Sequence, residues 1–334
     1  MSSSQRMSRR DFIKLLVGGT AAVIGVGVMW HLLERSRKPT EVEVLEREVK
    51  KNVFVEEGKS LISVVRGKNV KRVVKEAIEL LGGLDKLIES GDVVLLKPNV
   101  GFSNVDAVTT PETLAAVIEV VKEARPKKIV IAESAVRGRD TTFNFKATGI
   151  VEVAEKYDIE LIDLKKSKNL VKVKTRGGKL LDKVSTYKEV YDADVIISIP
   201  KLKRHVEATT TISLKNMMGI LPDSEKGTFH NLGLHQCIAD LNTVFKPDLC
   251  IVDATQVMTV SGPGRGKMVR ADTILASGDP VAVDLIASKI LFEIEGLDNP
   301  LERALKIPHL RRAAELGVGV IDVDKIKLIE REIS

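Results

Sequence analysis

Three observations predict an α/β protein with a mostly parallel, doubly wound sheet, helices on both faces and an antiparallel hairpin elaboration. Short apolar runs such as "VVLL", "KIVIA" and "DVIIS" alternate with amphipathic helical stretches, as expected of strands buried on both faces. Polar and charged residues gather just after those runs, where ligands bind in open α/β sheets. One segment, "NLVKVKTRGGKLLDKVS", alternates apolar and polar residues around Gly177-Gly178 instead, which is hairpin patterning.

The elements follow in order. "SLISVVRG", "VKRVVKEAIELLGG" and "DVVLLKPN" read as a strand–helix–strand unit. The next helix starts with Thr110 as N-cap, Pro111 in the first turn and Glu112 near the positive helix end. "KKIVIAES" is a second buried strand, and a helical stretch near "GIVEVAEKY" precedes the strand "IELIDL". After the hairpin come the short strands "DADVIISIP", "DLCIVDA" and "TILASG". "DPVAVDLIASKILFEI" is a helix with Asp279 as N-cap and Pro280 at its first position, and "IDVDKIKLIE" adds an edge strand. No composition break interrupts residues 53–334, which read as a single domain. The charged stretch 36–52 reads as a tether.

The formal charge of +6 is concentrated in residues 1–40, which carry +5 and leave +1 for residues 41–334. A nearly neutral folded part argues against a nucleic-acid binder. The two cysteines, Cys237 and Cys250, lie in apolar surroundings without a CxxC, so this chain alone builds neither a cysteine zinc site nor a four-cysteine iron–sulfur cluster. A disulfide between them needs an oxidising compartment; two core thiols are the simpler reading. High Lys and Glu beside three Gln hints at a thermophilic source.

Residues 1–35 carry the clearest local signal. Ser8-Arg9-Arg10-Asp11-Phe12-Ile13-Lys14 resembles the twin-arginine export signal, and a Gly-rich apolar segment follows. Phe12 to Leu33 is 22 residues, about 33 Å as a helix and enough to span a bilayer. No A-x-A-like cleavage site follows. The expectation is therefore twin-arginine export, an uncleaved single-pass membrane anchor and an extracytoplasmic domain.

The candidate site lies after the strands. Lys97-Pro98-Asn99 ends "VVLL", Glu133-Ser134 ends "IVIA", Pro200 to His205 ends "VIISI" and Asp253 ends "CIV". Lys201, Lys203 and His205 occupy alternate positions, so an extended chain aims all three the same way, with Lys215 and Asn216 ten residues on. Crowded cations repel unless something negative sits among them, so an anionic small molecule is expected there. Lys97, Asn99, Lys215, Asn216 and His230 are the expected binding residues. Lys201, Lys203, His205 and Asp253 are the expected catalytic ones, because a lysine among cations has a lowered pKa and serves as base or nucleophile. Asp253 with Asp284 is an acid pair for a hard cation, Mg²⁺ or Ca²⁺, or for general base work; buried carboxylates that fix loops are the structural alternative. Gly262 and Gly264 in "SGPGRGKM" let backbone N–H groups approach an anion, or form a plain loop, since the stretch fails the P-loop pattern. No GxGxxG follows the first strand. His230 is placed in a loop, His235 on the flank of the helix "LGLHQCIADLNTVF" and His309 at the surface.

"LLKPNV", "TTPETLAAVIEVVKEA", "DADVIISIPKLKRH", "LKNMMGILP", "DATQVMTVSGPGRGK" and "GDPVAVDLIAS", in this order, resemble the domain of unknown function 362 family over residues 60–320. "VSGPG" replaces the acidic-Gly-x-Gly-Pro wording usual in that family, and the cysteine-rich, ferredoxin-like insert of many relatives is missing. The resemblance implies no reaction, and the missing insert weighs against a redox-complex partner. An enzyme acting on a carboxylate or phosphate ranks first, because acids beside the cations serve no purpose in a pure receptor. An extracytoplasmic solute- or anion-binding module ranks second.

Overall fold

Strands that are apolar on both faces need cover on both, and the protein supplies it. In the computed structural model, which describes residues 43–334, Leu95 packs into one hydrophobic cluster while its neighbours Val94 and Leu96 pack into another. Helices Val70–Glu79, Pro111–Glu123 and Ile150–Tyr157 cover one face; Leu234–Asn242 and Pro280–Ile294 cover the other. Residues 1–42, including the expected export signal and anchor, lie outside the described residues. Among the described residues no helix is long and apolar enough to cross a membrane.

The strands are β1 (Val44–Leu45), β2 (Val55–Glu56), β3 (Lys59–Arg66), β4 (Val93–Pro98), β5 (Lys128–Glu133), β6 (Glu160–Asp163), β7 (Leu170–Lys174), β8 (Lys183–Tyr187), β9 (Val195–Ile199), β10 (Lys201–His205), β11 (Thr209–Thr211), β12 (Leu249–Thr259), β13 (Lys267–Ser277) and β14 (Ile326–Glu332). The main sheet runs β14-β3-β13-β12-β9-β4-β5-β6. Along that path only β13 is antiparallel to its neighbours, so the mostly parallel α/β fold is what the chain adopts. The hairpin forms as β7 against β8, from Leu170↔Tyr187 to Lys174↔Lys183. The C-terminal β14 is an edge strand beside β3. Thr110 and Asp279 cap their helices through side-chain bonds to Thr113 N and to Val281 N and Ala282 N.

Three features differ from the sequence-based expectation. β3 and β4 are separated in the sheet by β13, β12 and β9. Residues 44–52, read as tether, join the fold: β1 pairs with β7, and Arg47 donates to Ala193 O at 3.1 Å with its guanidinium over the Phe245 ring. β12 and β13 are 11 residues each, not short, so "SGPGRGK" is the turn of a long hairpin.

A step in the sheet positions the site. β9 lies beside β4 as far as Pro98↔Ile199, where β4 ends. Pro200 offers no N–H, and past it β10 keeps β12 on one side and gains short β11. Beyond the end of β4, β10 therefore stands as a wall over the carboxyl edge.

Candidate active site at the carboxyl edge

Because β10 is extended, its alternate residues face one way, as expected. Leu202 joins the core on one side, and Arg204 lies over the Phe292 ring at 5.1 Å and pairs with Glu295 at 3.1 Å. Lys201, Lys203 and His205 are all buried. Lys201 sits directly across from Asp253 in the β10–β12 register, which explains their ion pair at 3.4 Å.

A cavity of about 320 Å³ opens below this wall, lined by residues that follow β4 and β5, by β10 and β11, and by the segment 215–230. Of the expected residues, Asn99, Lys203, His205, Lys215, Asn216 and His230 line it. Lys97 stands behind the lining: its ammonium meets Glu133 Oε2 at 2.8 Å, Pro98 O at 2.7 Å and Asn216 Oδ1 at 3.2 Å. Asn216 in turn donates to Lys97 O and Ser198 Oγ. Glu133 accepts from Val100 N and Ser134 N besides Lys97. Gly219 is required here, since a Cβ on it would lie 2.0 Å from Glu133 Oε1 and 2.5 Å from Lys97 Nζ.

Lys203 and Lys215 differ from these paired lysines. Lys203 is 1 % exposed. Its ammonium reaches Ala107 O and lies 5.3 Å from the centre of the Phe102 ring. Burial, and then the like charges of Lys215 and Lys201, push it well below the usual lysine range. Lys215 has Met218 Sδ at 3.6 Å, and burial pushes it down to about 8. Neither has a carboxylate within ion-pair distance among the described residues. Asn99 Oδ1 and Thr211 Oγ1, both on the lining, are buried without a hydrogen-bond partner.

His205 Nδ1 accepts from Glu207 N and Ala208 N, both at 3.1 Å. Two N–H donors demand a lone pair, so the ring's proton sits on Nε2. Burial and the charges of Lys215 and Lys203 push its pKa down to about 2, so the ring is a neutral donor. His230 marks the mouth, with Nδ1 2.8 Å from Glu207 Oε2. It lies on helix Asp223–Leu232, not in a loop, because Asp223 and Glu225 start a helix after Pro222.

Asp253 and Asp284 make separate sets of bonds. Asp253, 0 % exposed, accepts from Thr255 N and Oγ1 on one oxygen and from Thr110 N and Lys201 on the other. Burial alone would raise its carboxyl, but Lys201 and these donors hold it below the usual range. Asp284 accepts from Ser213 N at 2.8 Å and Leu214 N at 2.9 Å, the start of the short helix Ser213–Asn216. Burial pushes its carboxyl up to about 7. It thus fixes the turn that carries Lys215 and Asn216. With Asp253 fully engaged, the two do not fit as joint ligands of a divalent cation. Among the described residues no three His, Cys, Asp or Glu come together as a metal site.

Gly262 and Gly264 serve close packing. A Cβ on Gly262 would meet Arg204 O at 1.9 Å, and one on Gly264 would lie 3.0 Å from the Phe102 ring. His309 is buried rather than at the surface, with Nδ1 3.1 Å from His235 Nδ1. Cys237 and Cys250 are free and buried, their thiols raised by burial.

Sequence reasoning missed Lys226, which lines the cavity and donates to Ser134 O, Ser134 Oγ and Ala135 O. Burial pushes it down to about 7. Its signal was the strand-end Ser134, whose groups it binds. Phe102 on the apolar wall also went unread, and Met218, which the sequence suggests is core, lies on the lining.

The family model described as "Domain of unknown function (DUF362)" matches residues 94–289, more than half of the chain. The chain belongs to this family. Its match spans β4 to helix Pro280–Ile294 and so contains every residue of the cavity. The thylakoid-associated protein sll1697 of Synechocystis sp. is 29% identical over 233 residues, covering 65% of this chain and 68% of that protein. The lactate racemase apoprotein of Thermoanaerobacterium thermosaccharolyticum is similar in structure with a TM-score of 0.40 at 18% identity, over 70% of this chain and 58% of its own. The chain thus spans less than two thirds of that racemase's length.

Proposed function

We propose that the cavity binds a small carboxylate- or phosphate-bearing molecule and acts on it with a buried lysine as base or nucleophile. The observation that carries this reading is the pair on one cavity wall, Lys203 buried and Lys215 half-buried, neither within ion-pair distance of a carboxylate among the described residues. Burying an ammonium without a counter-charge is costly, and an oxyanion relieves the cost through charge-assisted hydrogen bonds. Lys215 grips the anion; His205 donates from Nε2; Lys203, held well below the usual lysine range by burial, faces the reacting atom. The cavity's size, about 320 Å³, suits a small metabolite.

The test is thermal unfolding with a panel of carboxylates and phosphates, on wild type, Lys203→Met and Lys215→Met. A ligand that raises the wild-type melting temperature and leaves both variants unmoved is expected. Equal stabilisation of all three would return these lysines to the scaffold. Stabilisation without turnover of any bound compound would favour the receptor reading, the alternative that the closed network around Asp253 supports.

The same proposal sets the domain outside the cytoplasm behind an N-terminal anchor, from the "SRRDFIK" segment and the apolar run after it. The thylakoid association in the Synechocystis relative's name is in keeping with a membrane-bound position. Protease added to spheroplasts should then digest the domain, and full protection would remove the export reading.

A further inference from the structure

We propose that Lys203 forms an imine with the carbonyl carbon of a 2-oxo carboxylate whose carboxylate is held by Lys215. This rests on the cavity being an anion site with a reactive lysine, and it names the substrate class. Lys215, which grips the anion, is only half-buried. Lys203 is instead 1 % exposed, under the Phe102 ring, with one neutral acceptor, Ala107 O. Asp253 has already been claimed by Lys201 and Glu133 by Lys97. Burial and the like charges of Lys215 and Lys201 make Lys203 lose its proton more readily than an ordinary lysine. Once neutral, it is a poor anion grip and a good nucleophile. Lys215 keeps its charge to about pH 8, so the wall presents a cation and, on the same lining, a readily deprotonated amine. That combination is complementary to a carboxylate next to a carbonyl.

The step balances without an oxidant or reductant. The Lys203 lone pair adds to the carbonyl carbon, the C=O pair moves to oxygen, and oxygen takes one proton to give a carbinolamine. Asn99 Oδ1, a buried acceptor without a donor, is suited to that hydroxyl. The C–O bond then breaks as water leaves with a second proton, and the nitrogen pair closes the C=N bond. Both protons come from the amine nitrogen, relayed by the Lys215 ammonium, so one water is released.

The experiment uses purified full-length protein with pyruvate as probe and cyanoborohydride as trap, read by intact mass and peptide mapping. One reduced adduct on the peptide holding Lys203 is expected, and none with Lys203→Arg. An adduct spread over surface lysines, or no adduct, overturns the imine; the wild-type map decides this even if the variant does not fold. Lactate, which has the carboxylate but no carbonyl, separates the two readings. If lactate or pyruvate stabilises wild type thermally but no adduct forms, the imine fails and the anion site stands. If no carboxylate or phosphate stabilises the protein, the anion site fails as well.

Discussion

At the amino edge of the main sheet, Asp248 accepts from Ile196 N at 2.8 Å. Asp279 there collects Val281 N, Ala282 N, Val320 N and Ser60 Oγ. At the carboxyl edge, buried Lys203 and half-buried Lys215 have a single neutral acceptor each, whereas Lys97 and Lys201, and at 3.7 Å Lys226, meet carboxylates. The difference teaches how to read a buried charge. Strand and helix ends are rich in N–H groups, so a carboxylate placed there is satisfied by the fold and serves it. A cation left without such partners is costly to the empty protein, and its use lies in what binds.

The largest expected effect sharpens the paired side of that contrast. Glu133→Gln keeps the shape but leaves the Lys97 ammonium, 0 % exposed, with neutral partners. Breaking a buried pair costs about 3–5 kcal/mol, measured as a fall in urea-unfolding free energy. A loss below about 1 kcal/mol, the worth of a surface pair, would erase the distinction between paired and unpaired lysines.

A smaller effect of opposite sign tests the unpaired side. Lys215 is lowered from 10.5 to about 8, which corresponds to on the order of 3 kcal/mol of destabilisation at pH 7. Lys215→Met keeps a long apolar stem and should stabilise the empty protein by up to that amount. The sign with pH follows from proton counting. Between about 8 and 10.5 the unfolded chain holds the Lys215 proton and the native state does not, so wild-type stability rises with pH across that window. Below it the full cost is present. Unfolding midpoints from pH 7 to 10 should climb in wild type and climb less in Lys215→Met. Equal slopes would mean that Lys215 is not held against its charge. Stabilisation by a bound anion should fade over the same window, as the cation that grips it disappears.

Much of the fold could be read from local pattern. Thr110 and Asp279 announce their helices because caps act within three residues, and the hairpin announces itself by its period of two. The distal halves of β12 and β13 were missed because "TQVMT" and "KMVRA" carry too few apolar residues for a buried run. The shared direction of Lys201, Lys203 and His205 needed only strand geometry. Which of them is neutralised depended on strand order, since it is the β10–β12 register that sets Lys201 beside Asp253. Buried His309 did leave a trace: with Leu310 and Ala313 it shares the buried side of helix Pro308–Glu315, a helical spacing that a surface reading ignored.

Gly219 has a consequence for how the family can change over generations. Any side chain there would strike both Glu133 and Lys97, and Asn216, one turn earlier, bonds Lys97 through both its amide atoms. Mutation at Lys97, Glu133 or Asn216 strips a bond from a buried partner, and a side chain at Gly219 displaces Glu133 and Lys97, so each single step away from the arrangement passes through a poorly folding protein. Descendants should therefore keep or lose the lysine of "LLKPN", the acid of "AES" and the asparagine and glycine of "LKNMMG" together, although these residues lie scattered from position 97 to position 219. Three short spellings along the chain would then be inherited as one character.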